Sequence, residues 1–417
     1  MEEKPPTCYS RQDLLSKVPT DEARKQGLDV LLSCGEASGD LYAAELFREI
    51  RALEPNSRAF GLGGQRLAQA GAELLVDLRE ISVIGLVEVL SKLPALRKAQ
   101  ATLVAAAYER KPDVAVLIDF SGFNLRLASR LKVMGIPVVY YVSPQVWAWR
   151  RGRLRSIREH VDRMLVILPF EEAFYRDAGI PATFVGHPLV DLVRSREDRD
   201  SFFRRLGLDE KGPLVTLMPG SRPRELELHL PVMARAIEKM KGRDPRLQFV
   251  LVKAPTVEES TIQAGLGRVL ASVRVLSESG YDALTHSQAA IIASGTATVE
   301  AALCETPMVV VYRVGGLSYR LGKPLVRVPF YAMVNLIAQR PVVPELIQDD
   351  MTAHRVASET LRLLEDPEAA ELMRRDLREV KGRLGTGGAS RNAARAVLAA
   401  AHADRASNKP SHEVLTT

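Results

Sequence analysis

The feature that most constrains the fold is an alternation of short apolar runs with longer amphipathic stretches. The runs have strand length and are rich in Val, Ile and Leu, which is typical of strands buried on both faces of a parallel sheet. In the first half they fall at residues 29–32, 114–118, 138–141 and 164–167. Because helix-length segments separate them, the pattern predicts βαβ units and a doubly wound α/β sheet.

A densely charged stretch at residues 191–212 interrupts this alternation, which then starts again. The second set of apolar runs falls at residues 214–218, 249–252, 273–276, 290–293 and 308–312. A chain of 417 residues is also longer than one ordinary hydrophobic core can organise. The sequence therefore predicts two doubly wound, Rossmann-like domains that face a cleft.

The composition along the chain predicts the domain boundaries. We expect a polar N-terminal extension over residues 1–27, a first domain over 28–190 and a second domain over 191–350. Residues 351–403 have a helical pattern, and the polar residues 404–417 are expected to be disordered.

The overall composition narrows the class of protein. With 46% hydrophobic and 26% charged residues, disorder throughout the chain is excluded. The net charge of +6 favours an anionic partner, which could be a nucleotide, a phosphorylated lipid, an acidic membrane face or nucleic acid. Three widely separated cysteines favour a reducing, cytoplasmic setting over a disulfide framework or a structural zinc. The sequence shows no secretory-signal pattern and no long uncharged apolar run, so we expect any membrane contact to be peripheral.

Two polar loops are predicted at the cleft edge of the first domain, because parallel sheets bind ligands at the carboxyl ends of their strands. Residues 33–40 follow the first strand, and Glu36 and Asp40 are predicted to bind substrate there; Asp40 could instead cap the next helix. Asp119 ends the strand at 114–118, where it could accept a proton from a hydroxyl group or simply cap the turn.

A third loop of the first domain, residues 142–151, holds both tryptophans and opens an arginine run. The residues predicted to bind substrate in it are Ser143, Gln145, Trp147 and Arg150. Basic and aromatic residues together also occur in nucleic-acid-binding segments, and a solvated helix face is a further explanation. Because no nucleic-acid-binding fold signature accompanies the run, a phosphate or phospholipid contact is favoured.

The second domain has two loops suited to anions. Residues 219–222 place Ser221 and Arg222 after its first strand, and an arginine fork matches a diphosphate. Residues 294–300 lead from a strand into a helix start, where an anion would meet Ser294, Gly295, Thr296 and Thr298. Each loop alone is also an ordinary turn or helix cap. Two of them in one domain predict a site for a nucleotide diphosphate.

Two further residues complete this predicted nucleotide site. Glu300 follows the helix start and could bind a ribose diol. Lys253 follows a neighbouring strand and could line the base through its backbone.

If residues 81–90 form a helix, its apolar residues cover more than one face, and basic residues follow the segment. Such a segment either lies in a membrane interface and binds acyl chains or is buried in the domain core. His187 is expected to be a packed histidine and not a catalyst.

On four of these segments the chain resembles the lipid-A-disaccharide synthase family, over about residues 28–400. The segments are SCGEASGD at 33–40, VSPQVWAWRR at 142–151, MPGSR at 218–222 and SGTATVE at 294–300. The resemblance implies a GT-B fold and an inverting glycosyltransferase. It implies transfer from UDP-2,3-diacylglucosamine to 2,3-diacylglucosamine 1-phosphate (lipid X), which yields the β-1,6-linked lipid A disaccharide 1-phosphate and UDP.

The resemblance also implies roles for particular residues. Asp119 falls on the family's aspartate in an Ile-Asp-x-x-x-Phe-Asn segment and is expected to be the general base. For the transfer that the family implies, the charged fork of Arg222 is expected to stabilise the departing UDP. Asn335 takes the place of the family's functional asparagine and is expected to be catalytic. The family lacks an Asp-x-Asp metal motif, so neither a metal nor another cofactor is expected.

The expected setting is the cytoplasmic face of the inner membrane, bound peripherally, with UDP-diacylglucosamine and lipid X as partners, no nucleic acid, and a homodimer as one option. Two other interpretations stay open. A UDP-sugar epimerase or another GT-B enzyme would share the architecture. A non-catalytic basic protein on anionic membranes or nucleic acid would bind in a salt-sensitive way without transferring sugar.

Overall fold

The structure is a computed structural model that describes residues 27–81, 86–148, 152–255, 257–277, 280–315 and 328–407, without the side chains of 86–92 and 404–407. The described residues form two sheets, one of seven strands and one of six. Every strand pair is parallel. The predicted α/β class with two doubly wound sheets is therefore confirmed.

The first sheet has the strand order β3-β2-β1-β4-β5-β6-β7. Its strands are β1 Asp29–Cys34, β2 Arg58–Gly63, β3 Glu73–Asp77, β4 Val114–Ile118, β5 Val138–Tyr141, β6 Arg163–Val166 and β7 Ala182–Phe184. Alternate residues of β1 face opposite sides, because Val30 and Leu32 join one apolar core and Leu31 joins another. Helices cover both faces, which explains why the strands read as continuous apolar runs.

The helices of this half connect successive strands. They are α1 Ala37–Leu53, α2 Gln65–Gln69, α3 Leu78–Ile81, α4 Leu86–Arg110, α5 Ser121–Val133, α6 Arg153–His160, α7 Pro169–Asp177 and α8 Leu189–Leu192. Glycine, proline or polar residues separate most of them from the preceding strands.

The second sheet repeats the plan in the order β10-β9-β8-β11-β12-β13. Its strands are β8 Leu214–Met218, β9 Gln248–Val252, β10 Val273–Leu276, β11 Ala289–Ala293, β12 Met308–Tyr312 and β13 Glu345–Ile347. Its helices are α9 Arg199–Leu206, α10 Pro223–Arg243, α11 Glu259–Leu266, α12 Tyr281–His286, α13 Ala297–Leu303, α14 Met333–Ala338, α15 Ala353–Glu365 and α16 Pro367–Arg383, with short 3₁₀ turns at Gly267–Ser272 and Gln348–Asp350.

The last helix, α17 Ala389–Ser407, returns to the first half and packs on α1 and on β4, β5 and β6. Its start is capped by Asp191, whose carboxylate accepts from the amides of Gly388 at 2.9 Å and Ala389 at 3.2 Å. The chain thus crosses between the halves twice, near residues 186–191 and 384–389. Because α17 ends at Ser407, residues 404–407 continue a helix instead of a disordered tail, and 408–417 lie outside the described residues.

The strand order reverses at one point in each sheet, between β1 and β4 and between β8 and β11. At such a switch point the loops of the two neighbouring strands diverge to opposite faces and leave a crevice for a ligand. The four loops concerned follow β1, β4, β8 and β11, and each contains a residue predicted to bind substrate or to take part in catalysis.

Candidate active site

Asp119 lies at the switch point of the first sheet, immediately after β4. Both Asp119 and Phe120 have left-handed backbone conformations, with φ of 47° and 46°. Non-glycine residues in this region are strained, and such strain is concentrated at functional sites. The buried Asn124 stabilises the turn, because its side chain donates to the Asp119 carbonyl at 2.9 Å and accepts from the Ser33 hydroxyl at 2.7 Å.

The surroundings of the Asp119 carboxyl give it a pKa near neutrality. Burial disfavours the charged form and the nearby carboxylate of Glu36 adds to this effect, while the Phe120 amide and the Arg222 guanidinium oppose it. Together they raise the pKa of Asp119 to about 7. A carboxyl with such a pKa can exist as a base at neutral pH and still take up a proton readily.

The two halves meet across the crevice through an ion pair. Arg222, after β8, lies with Nη2 3.5 Å from Oε1 of Glu36, after β1, and with Nη1 3.3 Å from Oε1 of Glu225. The side chains of Arg222 and Glu36 are both about half exposed, so the guanidinium is accessible to a ligand. The arrangement brings a carboxylate of the first half and a cation of the second half together at the ends of β1 and β8.

The β11 loop presents backbone to this cleft. Gly295 has a φ of 151°, a conformation that favours glycine, and a Cβ there would meet nothing within 4 Å. The hydroxyls of Ser294 and Thr298 are used within the loop: Ser294 donates to the Tyr331 carbonyl at 2.7 Å and Thr298 to the Gly295 carbonyl at 2.8 Å. The predicted contacts of these two hydroxyls with an anion are therefore wrong, because both hydroxyls stabilise the loop instead. The exposed Thr296 and the backbone amides remain accessible to a ligand.

Glu300, on the first turn of α13, lies toward the first domain. Burial raises the pKa of its carboxyl to about 7. Within the described part of the chain, this carboxylate has neither a hydrogen-bond nor an ion-pair partner. Burial raises the pKa values of the Tyr42 hydroxyl in the first half and the Tyr281 hydroxyl in the second, and the Glu300 carboxylate adds to both effects, so Glu300 lies near residues of both halves. An unpaired acceptor in that place suits a diol.

The structure corrects the predicted role of Asp40. Its helix begins at Ala37, so Asp40 neither caps that helix nor faces the crevice. Its buried carboxylate accepts from the amides of Gly64 at 2.7 Å, Arg66 at 3.0 Å and Leu67 at 3.2 Å. Because these contacts cap the start of α2, Asp40 supports the fold of the first domain and is not a ligand contact.

The predicted catalytic role of Asn335 is wrong for a similar reason. Its side chain is 1% exposed and has four backbone or side-chain partners. It donates to the Val343 carbonyl and to Glu345, and its oxygen accepts from the amides of Val342 at 2.8 Å and Val343 at 3.0 Å. A side chain with all its hydrogen-bonding capacity used inside the domain cannot contact substrate, so Asn335 positions the segment before β13.

Ser143 and Trp147 are also turned inward. The Ser143 hydroxyl and the Trp147 ring nitrogen both donate to Oε1 of Glu171, the latter at 3.0 Å. Glu171 also accepts from the Leu168 amide at 3.1 Å, and burial raises its pKa to about 7. The two residues predicted to bind substrate instead anchor their loop. Sequence reasoning missed Glu171, whose one local signal is its place three residues into a helix that starts at a proline.

The other predicted residues are placed as follows. Gln145 and Ser221 are exposed at the strand ends, and Lys253 donates through Nζ to the Val257 carbonyl at 2.9 Å. Arg150 lies outside the described residues, as do residues 82–85 and the side chains of 86–92 within the predicted apolar segment. His187 is buried, and burial lowers its pKa to about 3, as expected for a packed histidine.

The remaining predictions concern metal ions and the membrane. No three His, Cys, Asp or Glu side chains in the described ranges converge as metal ligands would. Among the helices described, none combines the length and apolar character needed to cross a membrane. Metal independence and peripheral membrane binding stay predictions.

Comparison with solved structures shows the fold. The glycosyltransferase of kitacinnamycin matches with a TM-score of 0.59 at 16% identity, over 89% of this chain and 98% of that one. The UDP-GlcNAc 2-epimerase of Neisseria meningitidis, bound to UDP-GlcNAc, matches with a TM-score of 0.63 at 12% identity, over 89% of this chain and 100% of that one. Together with the two doubly wound sheets, these matches show the GT-B fold.

Sequence comparison identifies the family within this fold. The family model for lipid-A-disaccharide synthetase matches residues 30–399. The lipid-A-disaccharide synthase of Myxococcus xanthus is 46% identical over 369 residues, which is 88% of this chain and 96% of that protein. The chain belongs to the lipid-A-disaccharide synthetase family, and it is an enzyme of the glycosyltransferase class.

Proposed function

We propose that the protein is an inverting glycosyltransferase that joins UDP-2,3-diacylglucosamine to 2,3-diacylglucosamine 1-phosphate. The products are the β-1,6-linked lipid A disaccharide 1-phosphate and UDP. The observation that carries the proposal is the ion pair of Arg222 with Glu36, which joins the loop after β8 to the loop after β1 in the neighbourhood of Asp119, in a chain of this family.

In the proposed reaction Asp119 is the general base. Its carboxylate takes the proton of the acceptor 6-hydroxyl while that oxygen bonds to the anomeric carbon of the donor sugar. The bond from the anomeric carbon to the diphosphate oxygen breaks at the same time, and its electrons leave with UDP. Attack opposite the leaving group inverts the anomeric centre. The pKa of about 7 suits this role near neutral pH.

The second domain is proposed to hold UDP and stabilise its developing charge. The accessible Arg222 guanidinium can pair with the diphosphate, for which it would exchange its contact with Glu36. The amides of Thr296 and Ala297, at the helix start, add N–H donors. Glu300 is proposed to bind the ribose hydroxyls, and the backbone near Lys253 to line the base. Donors already in place before the reaction lower its barrier without further reorganisation.

We further propose that no metal takes part. An arginine fork and oriented amides can neutralise a diphosphate, which is the task that Mg²⁺ performs in other enzymes. Because both substrates carry acyl chains, the enzyme is proposed to bind peripherally at the inner face of the inner membrane. The net charge of +6 suits an anionic lipid surface. A homodimer is a further part of the proposal, which the solution mass in detergent-free buffer tests.

The direct test is an assay with both lipid substrates. The purified chain is incubated with UDP-2,3-diacylglucosamine and lipid X, and UDP release and disaccharide formation are followed by mass spectrometry. The proposal expects both products in equal amounts, and neither when lipid X is left out. Conversion of the UDP-sugar without lipid X would favour an epimerase, and salt-sensitive vesicle binding without any turnover would favour a non-catalytic membrane protein.

A further inference from the structure

A buried histidine lies behind the proposed nucleotide loops. His229 is on the second turn of α10 and is fully buried. Its ring packs edge to face against Tyr312, the last residue of β12, with the ring centroids 5.9 Å apart. Polar ring nitrogens in such surroundings need partners, because burying them unpaired is costly.

Both ring nitrogens have backbone partners. Nδ1 lies 2.7 Å from the Pro219 carbonyl oxygen, and the Arg313 amide donates to Nε2 at 2.9 Å. A carbonyl only accepts and an amide only donates, so the pair of contacts requires a neutral imidazole protonated at Nδ1. The Arg313 carbonyl, 3.2 Å from Nε2, is then a longer contact that this acceptor nitrogen does not use. Burial lowers the pKa of His229 and favours the same neutral form.

One backbone partner belongs to a loop of the proposed UDP site, and the other follows β12, on the far side of β11. Pro219 opens the loop after β8 that carries Ser221 and Arg222. Arg313 directly follows β12, and its guanidinium donates to the Gln348 and Met351 carbonyls at 2.9 and 2.6 Å. In the sheet, β11 lies between β8 and β12, so His229 connects the two loops that flank the Gly295 turn.

We propose that His229 is a positioning residue for UDP. It holds the β8 loop and the end of β12 at a fixed separation, so that Arg222 and the Gly295 turn face the same diphosphate, and it does not touch the nucleotide itself. This inference rests on the proposed function, since it assigns the support of that site. A histidine placed for core packing alone would leave UDP affinity unchanged when an apolar ring replaces it.

Three substitutions of His229 distinguish the effect of its two hydrogen bonds on UDP binding from the effect of its packing. His229→Phe keeps an aromatic ring of similar size and removes both bonds. In His229→Asn the amide lies near the position of Nδ1 and can keep the bond to Pro219, whereas in His229→Gln the longer side chain can reach Arg313. Thr306→Val is the matched control, because it also removes one buried hydrogen bond, that of 2.7 Å to the Leu284 carbonyl. Thr306 lies in the same half just before β12, away from the carboxyl ends of the strands.

The experiment is calorimetric titration of UDP alone into the parent and these four variants, with thermal unfolding to establish that each is folded. We expect UDP to bind His229→Phe at least roughly 10-fold more weakly, His229→Asn and His229→Gln to fall in between, and Thr306→Val to match the parent. In the transferase assay, KM for the UDP-sugar should rise while KM for lipid X stays unchanged.

A folded His229→Phe that binds UDP within about twofold of the parent would overturn the inference. If His229→Phe does not fold, parent-like affinities in both the Asn and Gln variants would overturn it, and weaker binding in either would support it. An equal rise in KM for both substrates would also contradict it. Failure of the parent itself to bind UDP would refute the proposed function, and this inference with it, so the two failures are distinguishable.

Discussion

Replacing Asp119 by Asn should abolish turnover and at the same time stabilise the protein. Asn is nearly isosteric with the protonated carboxyl and tolerates the left-handed backbone at this position, where φ is 47°. The carboxyl pKa is raised from its ordinary 3.8 to about 7, so ionising Asp119 in the folded state costs at most roughly 4 kcal/mol. The proposed catalytic base thus lowers the stability of the folded protein at neutral pH.

The sign of the effect follows from proton binding. Because the folded state holds the Asp119 proton more tightly than the unfolded state, the parent loses stability as the pH rises from about 4 to about 7, and no further loss occurs above that. The Asn side chain does not ionise, so the variant lacks this pH-dependent loss of stability. The difference in unfolding free energy between the variant and the parent should therefore grow by about 3 kcal/mol between pH 5 and pH 8.

The assay is urea unfolding followed by tryptophan fluorescence at several pH values. Both tryptophans, Trp147 and Trp149, lie in the predicted first domain, so the signal reports on the half that contains Asp119. In the same samples, kcat/KM of the parent should fall below pH 7 and UDP should bind the variant as it binds the parent. Asp77→Asn is the control of opposite sign in the same half, because its hydrogen bonds with Arg79 lower the pKa of the Asp77 carboxyl and the variant should be less stable than the parent at pH 8. Stability curves of Asp119→Asn and parent that run parallel with pH, or turnover like the parent's, would refute the reasoning.

Three further predictions concern the rest of the site. Arg222→Ala should weaken UDP binding by roughly 10- to 100-fold in calorimetry, whereas Arg243→Ala, at the far end of α10, should not; equal affinities would contradict the diphosphate contact. Glu171→Ala leaves the Trp147 and Ser143 donors unpaired and should cost about 2–4 kcal/mol in unfolding free energy. Trp147→Phe should then cost less in that background than in the parent, and additive losses would argue against the shared hydrogen bonds. Excess EDTA should leave transfer unchanged, and lost activity that Mg²⁺ restores would disprove the metal-free proposal.

Much of the architecture was predictable because parallel sheets bury their strands on both faces. Continuous apolar runs such as 114–118 and 308–312 mark such strands whatever surrounds them, and the loops that follow them must lie at one edge of the sheet. Asp119, Arg222 and Glu300 were predicted for this reason: each lies in the loop or the first helical turn that follows a strand at a switch point.

The roles of Asp40, Asn335 and Trp147 were not predictable from local pattern. The hydrogen-bond partners of each are seven or more residues away along the chain, so only the folded structure shows that the polar group is already used. Glu171 and His229 lie inside helices, where a polar residue normally indicates a solvated face. Their burial depends on which elements pack over them, and a single sequence carries no signal for that.

The central claim is that the second half of the chain binds UDP and presents its sugar to Asp119 across the cleft. A crystal structure of the complex with UDP tests it most directly. The account predicts the diphosphate against Arg222 and the Gly295 turn, the ribose at Glu300, and open space between the β-phosphate and the Asp119 carboxylate that is large enough for a sugar. UDP bound elsewhere, or a β-phosphate that points away from Asp119, would contradict it.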